Sequence, residues 1–147
     1  MNDLEYELRA PGNGEEWRAF HDIRRKVLFE NRGKLDTYIE NHPDDSKPGN
    51  HPLILLYKGV IVGVVRIDIS GTAAWLRRVA IREDLQRLGH GRALLAFAEA
   101  FAKDKGCSEA RCNAAIEAVS FYERCGYAPD VSTPAPPNSV PMLKSLA

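Results

Sequence analysis

The chain has 147 residues, with 20 Lys plus Arg against 20 Asp plus Glu and 44% hydrophobic residues. That length suits one hydrophobic core rather than two, so a single domain over residues 1–147 is expected. A neutral balance gives no global field for nucleic acid or an anionic membrane, and the apolar runs fall short of the about 20 residues that span a bilayer.

Leu4 to Ala10 reads as a short strand, and the turn signal Pro11-Gly12-Asn13-Gly14 leads into a helix. Trp17, Phe20, Ile23 and Val27 recur at spacings of three and four and form its apolar stripe. The proline-bearing stretch NHPDDSKPGNHP, Asn41 to Pro52, is expected to be irregular. Leu53 to Tyr57 and Val60 to Ile69 are rich in β-branched residues and flank Lys58-Gly59, the pattern of a hairpin. Ala73 to Ile81 reads as one further strand.

From Gly91 the residues Leu94, Leu95, Ala98, Phe101 and Ala102 fall on one helical face, and Lys105-Gly106 closes that helix with a cation and a C-cap glycine. Cys107 to Asn113 reads as a short strand, and Ile116 to Cys125 as a helix stopped by Gly126. Pro129, Pro134, Pro136, Pro137 and Pro141 exclude a central strand through most of the tail, although Tyr127 to Val131 can pair with Met142 to Leu146. Cys107, Cys112 and Cys125 form no C-x-x-C pair, and the N-terminus MNDLEYELRA is too charged for a secretory leader, so a reducing, cytoplasmic setting is expected.

QRLGHG, Gln86 to Gly91, stands between a strand and a helix. Free N–H groups at a helix N-terminus and the helix dipole both favour an anion, and glycines let it approach the backbone. Alone, the segment is equally an ordinary glycine turn. A nucleotide phosphate is disfavoured, because the loop lacks the Lys-Ser/Thr ending of a P-loop and the G-x-G-x-x-G spacing of a dinucleotide site.

Three stretches together resemble the GNAT superfamily of acetyl-CoA-dependent N-acetyltransferases. LRRVAI (Leu76 to Ile81) followed by QRLGHGRALL is similar to the family's Q/R-x-x-G-x-G/A signature and its helix. AVSFYERCGY (Ala118 to Tyr127) is similar to the A-x-x-F-Y-x-x-x-G-[FY] helix end, and VPMLKSL (Val140 to Leu146) falls where the family closes its sheet. The resemblance implies an α/β (α+β) fold whose mixed, mostly antiparallel sheet of about six to seven strands, flanked by about four helices, is splayed in the middle for acetyl-CoA.

It also implies roles for particular residues. The signature begins at Gln86, and backbone amides of Arg87, Leu88, Gly89, His90, Gly91 and Arg92 would receive the pyrophosphate; His90 is the variable position, contributing its amide and not its imidazole. The strand at Val79 and Ile81 would bond the pantetheine arm, with an N–H near Val79 as oxyanion donor. Asn113 either faces that arm or caps the following helix. Tyr122 matches the general acid that protonates the leaving thiolate.

The sequence departs from the family at the base. AAWLRRVAI carries Trp75, Arg77 and Arg78 where many relatives place a glutamate. Glu30, Glu40, Asp68 and His42 are alternatives, but no base is assigned, which leaves deprotonation through water. The pocket would be lined by Asp36, Tyr38, Glu40, His42, Asp44 and Asp45, with Glu30, Glu40 and His42 as candidate substrate contacts. This acidic loop either faces a small cationic amine or only solubilises itself. His42, Asp44, Asp45 and His51 match no ligand spacing, so no metal is expected.

The function expected is acetyl transfer from acetyl-CoA to a primary amine, of a small molecule or a peptide, by direct attack in a ternary complex; a homodimer is compatible with this. The alternative, favoured by the missing acid, is an acyl-CoA-binding module without turnover.

Overall fold

The computed structural model describes residues 5–29, 40 and 42–146. Leu4, Glu30, Asp36 and Tyr38 lie outside the described residues. β1 (Tyr6–Arg9) turns into α1 (Gly14–Ile23), which runs on as a π-helical stretch over Arg24–Phe29. Asn13 caps α1 by accepting the Glu16 N–H, while the Glu16 carboxylate accepts from the Gly12 N–H and from the Arg9 guanidinium. That reciprocal arrangement is a variant of the capping box.

β2 (Asn50–Tyr57) and β3 (Val60–Ser70) form the expected hairpin. Lys58 and Gly59 both have positive φ, 51° and 80°, as the two central residues of a type I′ turn require. β2 begins within the stretch expected to be irregular and takes in Pro52, opposite Arg66. Ile69 N–H donates to Gly49 O, so the alternation of the antiparallel ladder makes Pro52/Arg66 a pair without bonds between them. The missing proline N–H therefore points to the other side, where β1 has already ended at the pair Arg9/Ile54.

The expected strand over residues 73–81 is two strands, β4 (Ala73–Leu76) and β5 (Ala80–Ile81). The reason is parity. Ala74 and Leu76 pack in the main core and so do Val79 and Ile81, whereas Ala80 belongs to the opposite core. Both apolar pairs can face one side only if the chain slips by one residue between them, which ends the regular strand.

α2 (His90–Asp104) follows, then β6 (Glu109–Ala115), a 3-10 turn over Ile116–Ala118, α3 (Val119–Arg124), β7 (Ala128–Pro129) and β8 (Ser139–Ser145). The third expected helix thus starts at Val119, three residues later than the sequence indicated. Pro141 lies inside β8, opposite Asn113, just ahead of the strand expected from Met142. Its carbonyl accepts from Asp130 N–H on the outer side, so its missing donor faces outward and removes no bond to β6.

The result is one mixed, mostly antiparallel sheet in the order β1-β2-β3-β4-β6-β8-β7, with β5 paired to β3. α1 packs on one face through Phe20, Ile23, Ile54, Leu56 and Val64. α2 and α3 cover the other, over a core including Leu53, Leu55, Val65, Ile67, Leu94, Leu95 and Met142. The sheet has eight strands, two of them of two residues, against the six or seven expected, and three α-helices among the described residues.

Candidate functional site

The parallel pair at the centre of the sheet is short. β4 meets β6 only at Ala73/Glu109, Ala74/Ala110 and Trp75/Arg111. Beyond it, β5 pairs with Gly63 and Val64 of β3, and Cys112 to Ala115 pair with β8. Residues 77–81 and 112–115 therefore border an opening in the sheet. Val79 sits between β4 and β5, outside both ladders, and Asn113 stands on the facing strand with its buried Oδ1 lacking a hydrogen-bond partner. A helix cap is not what Asn113 forms, since no side chain caps the turn at Ile116 or α3.

The N-terminus of α2 stands at the same end. Gly89 is its N-cap, at φ 90°, and no side chain caps the helix. The first intrahelical bond at this end runs from Ala93 N–H to Gly89 O, so the N–H groups of His90, Gly91 and Arg92 lie before it and have no carbonyl of their own helix to meet. Arg87 also has positive φ, 66°. Gln86 Nε2 donates to Ile81 O at 3.2 Å, tying the loop to the strand before it. Leu88 and, at the start of the turn before α3, Ile116 are exposed apolar side chains at the rim, 55% and 58% accessible.

The two glycines act differently. Gly89 meets a conformational demand, whereas a Cβ on Gly91 would stand 3.2 Å from the Phe121 ring. That close approach joins the two halves of the sequence pattern: it seats α3 against the first turn of α2 and puts Tyr122, the next residue, in the core beneath. Tyr122 is 8% exposed, edge-on to the rings of Phe121 and Tyr127 at 5.3 and 5.6 Å. Glu99 of α2 locks the far end of α3: it accepts from Tyr127 Oη and Lys144 Nζ, both at 2.9 Å, and Lys144 also donates to Cys125 O. Burial and the neighbouring Glu99 carboxylate hold the Tyr127 phenol well above its ordinary pKa.

His90 contributes more than an amide to the architecture. Its ring is buried beneath α2, with Nδ1 2.8 Å from Tyr6 Oη and the Tyr57 ring at 5.1 Å, and burial lowers its pKa. A histidine inside a glycine loop gave no sign of this; its partners come from strands more than 30 residues away.

Those residues expected on the substrate side that the structure describes are engaged by their neighbours. Glu40 and His42 line a cavity of about 440 Å³ with Trp17, Arg18, His21 and Asp45. Glu40 pairs with Arg25 at 2.9 Å, Asp44 with Lys47 at 2.8 Å, and His42 Nδ1 accepts the Asp44 N–H. Asp68, considered as a base, is held bidentate by Arg66 at 2.8 and 2.9 Å. Arg66 is almost fully buried and also reaches Asp45, which in turn meets Arg24. This network escaped the sequence reading, although the alternation Arg66-Ile67-Asp68-Ile69 marked a strand with one polar face. Among the described residues no three His, Cys, Asp or Glu side chains converge as metal ligands, and no helix is long and apolar enough to cross a membrane.

A mixed α/β fold whose sheet parts in the middle thus sets an open helix N-terminus, suited to an anion, beside the gap. The chain belongs to the acetyltransferase (GNAT) family, whose pattern it matches over residues 17–127. Its fold is similar to that of a Lactobacillus plantarum protein assigned as an N-acetyltransferase, with 23% identity, TM-score 0.78 and 97% of each chain covered. It is also similar to the PaiA N-acetyltransferase of Thermoplasma acidophilum, solved in complex with coenzyme A, with 18% identity, TM-score 0.76 and 99% of each chain covered. A Klebsiella pneumoniae protein assigned as an acyl-CoA N-acyltransferase matches with 26% identity and TM-score 0.71, over 99% of this chain and 100% of that one.

Proposed function

We propose that the chain is a single N-acetyltransferase domain, residues 1–147, that moves an acetyl group from acetyl-CoA to a primary amine by direct attack in a ternary complex. One observation carries this reading: the uncapped N-terminus of α2 stands beside the opening between β5 and β6, and the Gly91–Phe121 contact brings Tyr122 alongside. The bound thioester supplies an activated acetyl group. The N–H groups of His90, Gly91 and Arg92 hold its pyrophosphate, Gly89 supplies the left-handed turn that aims them, and Arg87 and Arg92 add charge at the rim. The orphaned Asn113 Oδ1 is an acceptor suited to an amide N–H of the pantetheine arm.

Val79 N–H stabilises the oxyanion that forms as the amine nitrogen bonds to the acetyl carbon. Tyr122 Oη gives its proton to the sulfur as the carbon–sulfur bond breaks, and the nitrogen loses its proton to water, because β4 carries Trp75 and Arg77 instead of an acid. Three free cysteines agree with a cytoplasmic setting.

The test follows free thiol released from acetyl-CoA over a panel of amines, with thermal shifts for coenzyme A, ATP and NAD. Stabilisation by coenzyme A alone, with amine-dependent release, is expected. Tyr122→Phe should keep coenzyme A affinity and lose about a hundredfold in kcat, within the range for a general acid. Binding without release on any amine favours the acyl-CoA-binding module, the reading that the missing strand acid supports.

A further inference from the structure

The sheet separates two approaches. α2 and its open N-terminus lie on one face; Arg66, Asp68, Trp75, Arg77 and Arg111 stand on the other, the side of α1 and of the residues 42–46. A cofactor seated from the first face presents its acyl group through the opening, so the acceptor arrives over the second. The charge there is set by a chain of contacts. Arg24 and Arg66 share Asp45, at 3.2 and 3.1 Å; Arg66 takes both oxygens of Asp68; and Arg77 reaches Asp68 only at 3.9 Å. Three guanidiniums thus share two carboxylates, and the weakest share falls to Arg77.

Arg77 is presented for binding. Its side chain is 41% exposed and lies over the Trp75 ring with 4.6 Å to the centroid, an aromatic platform two residues earlier on the same face. Its backbone is fixed, since Arg77 N–H donates to Arg66 O at 2.7 Å. It stands two residues before Val79, at the edge of the opening. Of the other arginines on this face, Arg111 is saturated by Glu109 and Asp130, Arg66 is held by Asp68 and Asp45, and Arg78 lies over the Phe29 ring. Among the described residues the acids of the loop, by contrast, are taken: Glu40 by Arg25, Asp44 by Lys47, Asp45 by two arginines.

We infer that the acceptor is an amine that also bears a carboxylate or similar planar oxyanion, and that Arg77, stacked on Trp75, is the specificity-determining residue that receives it. The inference rests on the acetyltransferase reading and names its substrate class. A guanidinium binds a carboxylate through two parallel N–H···O bonds, and the distant Asp68 oxygen costs little to give up. A diamine would put a second cation against the same arginine.

The experiment measures binding to coenzyme A-saturated protein by calorimetry, and thiol release from acetyl-CoA, for amino acids, their carboxamides and aliphatic diamines. Amino acids should bind at least about tenfold more tightly than their amides, as expected for a charge-assisted pair. Arg77→Gln should erase that preference, raising KM for the amino acids about tenfold with kcat little changed, and Arg77→Lys should restore part of it. Amides or diamines binding as well as amino acids, a preference that survives Arg77→Gln, or no binding of any amino acid would overturn the inference, whatever is turned over. Amino acids that bind through Arg77 yet release no thiol would leave the anion site standing and remove the catalytic reading instead.

Discussion

At the scale of single residues, the two glycines of QRLGHG separate by mechanism. Gly89 holds φ 90° as the N-cap of α2, a region that L side chains occupy at a cost of about 1–2 kcal/mol and β-branched ones least readily. Gly89→Val should therefore lower stability by at least that amount and turn the first amides of α2 away from the anion. Gly89→Asn, whose side chain tolerates the left-handed region, should keep most of both. Denaturation midpoints and coenzyme A affinities of the two variants check this, and equal loss in both would mean that bulk rather than backbone conformation matters. The glycine turn that opens α2 and the Phe121-Tyr122 end of the chain's last helix were legible because each is a local pattern. The imidazole of His90 and the guanidiniums of Arg66 and Arg77 were not, because their meaning lies in partners such as Tyr6 and Asp45 that only tertiary folding brings near.

Among the elements, α1 depends on its first turn. Asn13 Oδ1 accepts the Glu16 N–H at 2.9 Å, and Glu16 answers Gly12 and Arg9, which draws the end of β1 onto the helix. Those bonds hold the Glu16 carboxyl down to about 2. Asn13→Ala should cost about 1 kcal/mol, the usual price of a lost N-cap, whereas Asn13→Ser should cost a few tenths. Urea midpoints compare them, and an alanine variant as stable as the parent would show that packing of Phe20 and Ile23 alone sets the helix start. The hairpin at Lys58-Gly59 and the long α2 were readable, since turn chemistry and helical periodicity are local. The break between β4 and β5 was readable in principle from the parity of Ala74 and Leu76 against Val79 and Ile81. Pro52 and Pro141 inside strands were not, because what permits them is the end of a neighbouring strand.

For the molecule as a whole, three imidazoles are packed among aromatic rings. His21 of α1 stacks on Trp17 of the same helix, His51 of β2 lies edge-on to Phe101 of α2, and His90 of α2 meets Tyr6 and Tyr57. Burial lowers the pKa of all three below 6.5. Between those lowered values and 6.5 the unfolded chain binds more protons than the folded one, so stability rises with pH through that window and falls as pH drops. At the alkaline end burial pushes the Cys112 thiol up to about 12 and the Tyr127 phenol higher, so the unfolded chain gives up those protons first and stability declines above about pH 9. Tm measured at constant ionic strength should form a plateau between about pH 7 and 9, lose a few degrees by pH 5.5, and fall again by pH 10.5. His51→Gln should shallow the acid limb without moving the alkaline one. A Tm that holds level from pH 7.5 down to 5.5 would mean that the three rings gain their protons without loosening the packing around them.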